Sequence, residues 1–582
     1  MTGTSGRPVR VRPVPEHAPW PRQVHPVVAR VLAARGVLSP DSAELRLRDL
    51  LDPGSLSGLE EAAALLQEAI DRSWRILVVG DFDCDGATAT AVALRGLRAL
   101  GARAVDFRVP HRMRHGYGLS PQLVAELESP LPDLIITVDN GISSLEGVAA
   151  ARAAGIRVLI TDHHLPGAEL PQAQVIVNPN LDDDGFPSKH LAGVGVMFYV
   201  LLALRARLRE AGRFAAGAEP DLSGLLDLVA LGTVADLVAL DQNNRILVAA
   251  GLKRIRAGRG VAGIQALIDV SGRKADRLNA EDLGFALGPR INAAGRLDDM
   301  RLGIECLLED DPARALDMAG RLDAINQERR ALQSEMTDEA MAELEQLGLE
   351  QGDALPQWQV GLCVFAPHWH AGVVGLVASK VKERWHRPAA AFAPAEEDAD
   401  AAMLRGSCRS IPGFHIRDAL AEVQARHPGL IERFGGHAMA AGLTLRRDRY
   451  EAFAAAFDDV ARTRLDASML DPEWLTDGAL AGDVVNRTLA EQLEDAGPWG
   501  QAFPPPLFCD CFEVLEWRVL RERHLKLVLA TDCGAEVSAI EFNGWLGEPP
   551  PTRLRVVYQL QRDDFGRRRA TQLLVRDRQP AA

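Results

Sequence analysis

Three short aliphatic runs, Ile76–Val79, Leu134–Val138 and Val158–Ile160, lead straight into Asp81-Phe-Asp-Cys-Asp-Gly86, Asp139-Asn-Gly141 and Thr161-Asp-His-His164. Runs of this length, bounded by turn-forming residues, read as buried strands, while the stretches Ala87–Leu100 and Ser144–Ala154 have helical composition. Strand and helix in alternation build a parallel sheet, and such sheets gather their chemistry at the carboxyl ends of the strands. The sequence therefore predicts an α/β unit with carboxylates and imidazoles collected on one sheet edge. Ala104–Val109 and Gln174–Val177 are expected as further strands, and Leu191–Leu208 and Leu225–Val238 as helices.

The rest of the chain divides into three patterns. Between Pro312 and Leu347 the only glycine is Gly320, and Leu322, Ile325, Leu332, Met336 and Leu344 fall on helical spacing, which predicts long helical connectors with a break at Gly320. From about Gln359 a second α/β lobe follows, with strands Val360–Phe365 and Ala389–Phe392 and helices Gly372–Trp385 and Ile416–Ala425. Beyond Asp471 the pattern turns to strands: Phe508–Leu520, Leu525–Ala530, Val537–Phe542, Arg553–Gln561 and Ala570–Arg576, a set that suits a small barrel of the OB type. The expected fold is α/β, with two α/β lobes joined by long helices and a C-terminal OB-type β-barrel. The expected boundaries are 1–50 for an N-terminal extension, 51–300 for the first lobe, 301–355 for the connector, 356–468 for the second lobe and 469–582 for the barrel.

Composition sets limits on function. A hydrophobic content of 47% over 582 residues suffices for several cores, and no run approaches the ~18 apolar residues of a spanning helix, so no membrane association is expected. The N-terminus runs into Pro13, Pro15, Pro19 and Pro21 without an apolar core segment, which leaves the cytoplasm as the expected location. The seven cysteines are scattered and read as reduced thiols, since Cys509-Asp-Cys511 is too tightly spaced for a zinc knuckle. A net charge of −15 is the wrong sign for a protein that coats nucleic acid over its whole surface. The C-terminal stretch is locally basic, however, with Arg553, Arg555, Arg562, Arg567, Arg568, Arg569, Arg576 and Arg578 against Asp563, Asp564 and Asp577. That is a candidate nucleic-acid footprint, and charge alone fits a solvated hairpin face equally well.

Asp81, Asp83 and Asp85 place three carboxylates at alternate positions, a density of negative charge that is costly without cations. A calcium loop of the EF-hand type is excluded because Val92 stands where its bidentate glutamate belongs. Taken alone, Asp85 reads equally as the N-cap of the helix that follows. The concurrence of three such strand ends favours a metal site instead, with Asp236 of Gly232-Thr-Val-Ala-Asp236 as a further ligand. Carboxylates with one or two imidazoles suit Mn2+ or Mg2+ better than thiolate-seeking metals.

In order and spacing these motifs resemble the DHH phosphoesterase family, and the likeness to its bacterial single-strand-specific exonucleases runs over nearly the whole chain. Asp81–Gly86, Asp139-Asn-Gly, Asp162-His-His164 and Gly232–Asp236 resemble the four catalytic motifs, while Gly406-Ser-Cys-Arg-Ser410 and Phe434-Gly-Gly-His437 resemble the DHH-associated domain. The resemblance implies a 5′-to-3′ exonuclease on single-stranded DNA that releases 5′-mononucleotides and serves repair and recombination. It implies Asp83, Asp85, Asp139, His163 and Asp236 as ligands of two Mn2+ or Mg2+ ions, with Asp139 bridging, and Asp81, Asp162 and His164 as catalytic supports. It further implies substrate contacts from Arg112, Arg290, Ser407, Arg409, Gly436 and His437, Arg296 being a close rival to Arg290. The expected partners are single-stranded DNA, a helicase and a single-strand-binding protein, and the expected state is a monomer. Two alternatives stand beside this reading: a phosphodiesterase on short oligonucleotides or cyclic dinucleotides, and a non-catalytic DNA-binding scaffold. Small departures from the family pattern, at Phe82, Cys84, Cys408 and His115, remove no expected ligand.

Overall fold

The computed structural model describes residues 7–111, 115–215, 217–346, 360–395, 402–480, 482–563 and 570–581. The chain forms two units: Val14–Asn326 with Thr488–Pro506, and Met1–Pro13 with Gln327–Arg487 and Leu507–Ala582.

In the first of these units, strands β1 (Arg75–Val79), β2 (Ala104–Arg108), β3 (Leu134–Val138), β4 (Arg157–Thr161) and β5 (Val175–Val177) form a parallel sheet in the order β2-β1-β3-β4-β5. All five residues of β3 are buried, as expected of a central parallel strand covered on both faces. The three strands that carry the acidic motifs, β1, β3 and β4, are immediate neighbours. Helix α1 (Cys84–Ala99) starts directly beyond β1 and is buried along nearly its whole length, with α2 (Gly193–Glu210) and α3 (Leu226–Ala235) packed beside it. Helix α4 (Gly288–Leu297) packs on the loop before α1, where Asn292 Oδ1 accepts a 2.8 Å hydrogen bond from the Cys84 amide.

Helix α5 (Pro312–Gln346) runs 35 residues without interruption, so the break expected at Gly320 does not occur. Glycine in a helix interior costs only about 1 kcal/mol, and the fully buried Ala319 and Leu322 on either side outweigh it.

The other unit contains a mixed sheet and a barrel. The sheet has strands β6 (Leu362–Phe365), β7 (Ala389–Pro394), β8 (Met403–Arg409), β9 (Arg433–Gly436) and β10 (Ala440–Arg446), in the order β9-β10-β8-β7-β6. Its buried face packs on α7 (Ile416–Arg426) and α8 (Tyr450–Arg464), and α6 (Val374–Trp385) lies on its other side beside β7 and β8. The expected C-terminal strands all form: β11 (Phe508–Leu520), β12 (His524–Ala530), β13 (Glu536–Glu541), β14 (Arg553–Asp563) and β15 (Ala570–Pro580) close into a barrel. Val9–Val11 adds a short parallel pairing to Trp474–Thr476. Among the described residues no helix is long and apolar enough to cross a membrane.

Candidate functional site

The carboxyl ends of β1, β3 and β4 deliver their motifs to one place. Asp83, rather than Asp85, is the N-cap of α1, accepting from the Gly86 amide at 2.9 Å. Asp85 lies inside the first turn, buried, and its two oxygens accept from the amides of Gly193 (2.6 Å) and Val194 (3.0 Å) at the start of α2. Gly193 allows α2 to approach this closely, since a Cβ there would stand 2.4 Å from the Cβ of Asp139. Asp139 follows β3 with a left-handed backbone (φ 61°), its amide bonded to the Thr161 carbonyl at 3.0 Å. Asn140 ties the ends of β1 and β3 together by donating to the carbonyls of Val79 (3.0 Å) and Val138 (2.9 Å).

Beyond β4, His163 turns its Nε2 to within 3.1 Å of Asp139 Oδ1 and 3.5 Å of Asp236 Oδ2, so the expected fourth motif does arrive at the same point. Asp162 is fully buried and organises the loop. Its Oδ1 accepts from the amides of His163 (2.7 Å) and His164 (3.1 Å) and bonds His164 Nδ1 at 2.8 Å, while Oδ2 accepts from the Ile142 amide at 2.9 Å. The imidazole held by Asp162 is therefore that of His164, not that of His163. Asn178 and Asn180 steady the same loop through the carbonyls of His164 and His163.

Candidate ligand atoms fall into three overlapping groups, each within 4.8 Å: Asp81, Asp83 and Asp139; Asp139, His163 and His164; Asp85, His163 and Asp236. Asp139 and His163 each belong to two of them. Asp81 thus has as close a claim to a ligand position as Asp83, although the sequence suggested a supporting role.

The charges fit a cation. Burial, followed by the neighbouring carboxylates, pushes Asp139 and Asp236 well above the ordinary carboxylate range, and burial with Asp83 pushes Asp85 to about 7. Such acids resist ionising together unless positive charge joins them. Asp162 goes the other way: burial would raise it, but the hydrogen bond and charge of His164 prevail and hold it at about 2. For His164 burial would lower the value, and Asp162 overrides it, holding the imidazole at about 9. All-oxygen and imidazole donors with this excess of negative charge match a hard divalent ion. Cys84, between two of the acids, is inert, because burial and then Asp83, Asp85 and Asp236 hold its thiol far above the ordinary value.

One residue at this centre escapes sequence reasoning. The Tyr117 hydroxyl donates to the Asp139 carbonyl at 3.1 Å and stands 3.3 Å from His164 Nδ1, its ring edge-on to Phe82 and His164. The flanking Gly116 and Gly118, both at positive φ, are the only local signal of a shaped loop. Arg290 is buried, donating to the Ala286 carbonyl and paired with Asp323 at 2.8 Å, so substrate could reach its guanidinium only by displacing a pair. Arg296 is half-buried near the end of the same helix α4. Arg112 lies outside the described residues.

In the other unit, Ser407 and Arg409 point from the same face of β8, with Arg409 Nη1 2.8 Å from Ser407 Oγ. They face the N-terminus of α6, whose first turn has no side-chain cap. A Cβ on Gly375 would lie 2.8 Å from Arg409 Nη2 and 2.9 Å from Ser407 Oγ, so the glycine keeps the space open. Across the sheet, Ser407 pairs with Gly442 and Gly442 with Gly435, which leaves that row bare. A guanidinium, a hydroxyl and uncapped helix amides are the components of a phosphate pocket. The Gly436–His437 turn offers less than expected: the His437 amide donates to Ala440 at 2.8 Å, and Gly436 is needed because a Cβ would stand 2.4 Å from Ala441 Cα. His368 and Trp369 are held by Glu339, at 2.8 and 2.7 Å.

Comparison with known proteins matches the DHH family, N-terminal domain, to residues 75–233, the DHHA1 domain to 359–463 and the RecJ OB domain to 476–577. The chain is 50% identical to the single-stranded-DNA-specific exonuclease RecJ of Dickeya dadantii, over 97% of this chain and 98% of that protein. It is also similar to two crystal structures of RecJ from Thermus thermophilus. The complex with Mn2+ has a TM-score of 0.79 at 30% identity, covering 99% of this chain and 80% of the other. The complex with Mg2+ has a TM-score of 0.75 at 29% identity, covering 99% and 79%.

Proposed function

The chain belongs to the RecJ family of single-stranded-DNA-specific exonucleases, and from that premise we infer that it is a metal-dependent exonuclease of single-stranded DNA. It works from the 5′ end and releases 5′-mononucleotides. The observation that carries the reading is the convergence of Asp81, Asp83, Asp85, Asp139, His163 and Asp236 beyond three adjacent strand ends.

Asp83, Asp85, Asp139, His163 and Asp236 would hold two divalent ions, Mn2+ or Mg2+, with Asp139 within reach of both; when bound, they would supply polarisation of the scissile phosphate and a lowered pKa for a water. The protein's part is placement and charge. The amides of α2 fix Asp85, the β3 exit fixes Asp139, and the end of α3 fixes Asp236. Asp162 holds the His164 imidazole through Nδ1, which leaves Nε2 to carry a proton toward negative charge on the departing oxygen. Ser407, Arg409 and the α6 N-terminus receive the 5′-phosphate, and a 5′-hydroxyl end forgoes those bonds. Arg112, Arg296 and the His437 side chain, rather than the amides of its turn, supply further contacts to the strand.

An exonuclease confined to single strands depends on others to expose them, so we place it in DNA repair and recombination in the cytoplasm. It acts there as a monomer behind a helicase and beside a single-strand-binding protein. The test is hydrolysis of 5′-labelled single-stranded, duplex and dinucleotide substrates with Mn2+ and with EDTA. Mononucleotides from the single strand, in Mn2+ only, are expected. Turnover better on dinucleotides than on long strands would favour the phosphodiesterase reading, and no turnover at all would favour a scaffold.

A further inference from the structure

Residues Thr488–Pro506 fall in sequence within the stretch that matches the RecJ OB domain, yet they pack with the unit that holds the metal-site residues. Helix α9 (Arg487–Asp495) docks there through the buried Leu489, Ala490 and Leu493, with Gln492 bonded to the His25 amide at 2.8 Å. The chain then makes a tight turn in which the Gly500 amide bonds the Phe503 carbonyl at 2.9 Å and the Phe503 amide bonds the Gly500 carbonyl at 3.2 Å.

This turn grips the exit from α3. The Leu240 amide donates to the Gln501 carbonyl at 2.8 Å, and Gly500 lies so close that a Cβ would stand 2.7 Å from Leu240 Cδ1. The guanidinium of Arg245, itself buried, covers the ring of Phe503 at 3.8 Å, and Phe503 stacks on Trp499 with centroids 5.1 Å apart. Arg35 adds to the stack, lying over Trp499 and donating to the Pro504 carbonyl at 2.8 Å.

Asp236 is only four residues upstream of Leu240. It caps the C-terminus of α3, where helices fray, and Leu237 after it is forced into a left-handed conformation at φ 62°. A carboxylate on such an end keeps its aim only if the chain leaving it is held; Asn244 holds the Ala239 carbonyl at 2.9 Å, and the Trp499–Phe503 turn holds Leu240 between that bond and the Asp241 cap. We propose that the Trp499–Phe503 turn is a positioning element for Asp236, clasping the α3 exit so that this carboxylate stays beside His163.

The inference rests on Asp236 being a metal ligand, and the experiment separates the two claims. Mn2+ binding to the full-length apoprotein is titrated by calorimetry, alongside the Mn2+ dependence of hydrolysis, for wild type, Gly500→Val, Phe503→Leu, Asp236→Asn and Leu493→Ala. Gly500→Val should weaken Mn2+ binding about ten-fold, with turnover recovering at high Mn2+, and Phe503→Leu should do so by a smaller factor. Leu493→Ala, which loosens the anchoring helix away from Leu240, should lower Tm with the Mn2+ titration unchanged. If Gly500→Val does not fold, Phe503→Leu decides alone. A clasp variant that loses Tm but binds Mn2+ like wild type overturns the proposal while Asp236→Asn still weakens binding. An unmoved titration in Asp236→Asn overturns the ligand assignment itself.

Discussion

Asp139 is the residue on which the others converge: it belongs to two of the three ligand groups, it sits at positive φ, and its carboxylate is packed against α2 with almost no exposure. Asp139→Ala should therefore lower kcat/KM by about 10³-fold or more, roughly 4 kcal/mol, with the circular dichroism spectrum unchanged. Turnover near wild type in saturating Mn2+ would remove Asp139 from the ligand set. The charges around it make a second prediction. Asp85 at about 7 and His164 at about 9 hold protons more tightly than they would in an unfolded chain, whose ordinary values are 3.8 and 6.5. Each stabilises the apoprotein below its unfolded value and loses that contribution as pH rises through the folded one, Asp85 between about 4 and 7 and His164 between about 6.5 and 9. The Tm measured in EDTA should fall across that span, and the rise on adding Mn2+ should be larger at about pH 8.5 than at about pH 6. A gap that narrows instead would mean these acids are not kept for a cation. At this scale the sequence was informative about which acids converge, because each stands directly after an aliphatic run. It was silent on hydrogen-bond direction: that Asp83 caps α1, that Asp85 caps α2, and that Asp162 binds His164 depends on how α2 and the β4 loop approach, and no local spacing encodes that.

Strand β8 and helix α6 make the phosphate pocket together, and neither suffices alone: β8 supplies Ser407 and Arg409, and α6 supplies uncapped amides beside Gly375. Charge-assisted bonds to a terminal phosphate contribute about 1.5–3 kcal/mol, so Arg409→Ala should erase about ten- to a hundred-fold of preference for a 5′-phosphate over a 5′-hydroxyl, with Mn2+ binding unchanged. Gly375→Ala should reduce the same preference while leaving Arg409 in the sequence, because the new methyl would crowd the guanidinium at Nη2 and Ser407 at Oγ. Matched strands with either end, compared by kcat/KM, check both. A wild type indifferent to the end, or an Arg409→Ala protein that keeps its preference, would return Arg409 to an ordinary role in the sheet. Strands β8, β9 and β10 are hard to recognise in sequence for the reason that makes them useful. Their outward positions carry Arg405, Ser407, Arg409, Arg433, Gly435 and Gly442, and the small Gly406, Cys408, Gly436 and Ala441 take inward ones, so few bulky apolar residues mark the alternation. The barrel strands were legible because theirs is kept: in β12 Leu525, Leu527 and Leu529 are buried at every second position. Helix α5 shows the opposite error, a local signal at Gly320 overruled by packing.

Over the whole molecule, chain order and spatial grouping diverge twice, and sequence patterns follow only the first. Thr488–Pro506 leaves the C-terminal stretch to join the unit of the metal-site residues, and the N-terminal strand Val9–Val11 joins the unit of the barrel by pairing with Trp474–Thr476. Both are long-range choices made by a few contacts, such as the bond from the Trp474 indole to Asp577 at 2.8 Å, that leave no periodic trace. Charge, by contrast, can be read over any length of chain. The protein carries a net −15, so a long single strand gains nothing from its overall charge and must be held by local basic groups. Not all arginines of the C-terminal stretch are available for that. Arg578 pairs with Glu541 at 2.6 Å inside the barrel and also donates to the Gly544 carbonyl, and Arg576 bonds Gln559 at 2.9 Å. These commitments reduce the candidate footprint to Arg553, Arg555, Arg562 and the run Arg567-Arg568-Arg569, the densest part of it, which joins β14 to β15 in sequence and lies outside the described residues. Each phosphate neutralised on a single strand adds about 0.7 to the slope of log affinity against log salt. Replacing all three arginines with alanine should therefore weaken binding to a long single strand and flatten that slope by up to ~2, while hydrolysis of a short oligonucleotide continues. Binding isotherms at several salt concentrations measure it. If affinity and slope stay where they were, those three arginines do not touch the strand, and the barrel's basic residues serve its own packing, as Arg576 and Arg578 already do.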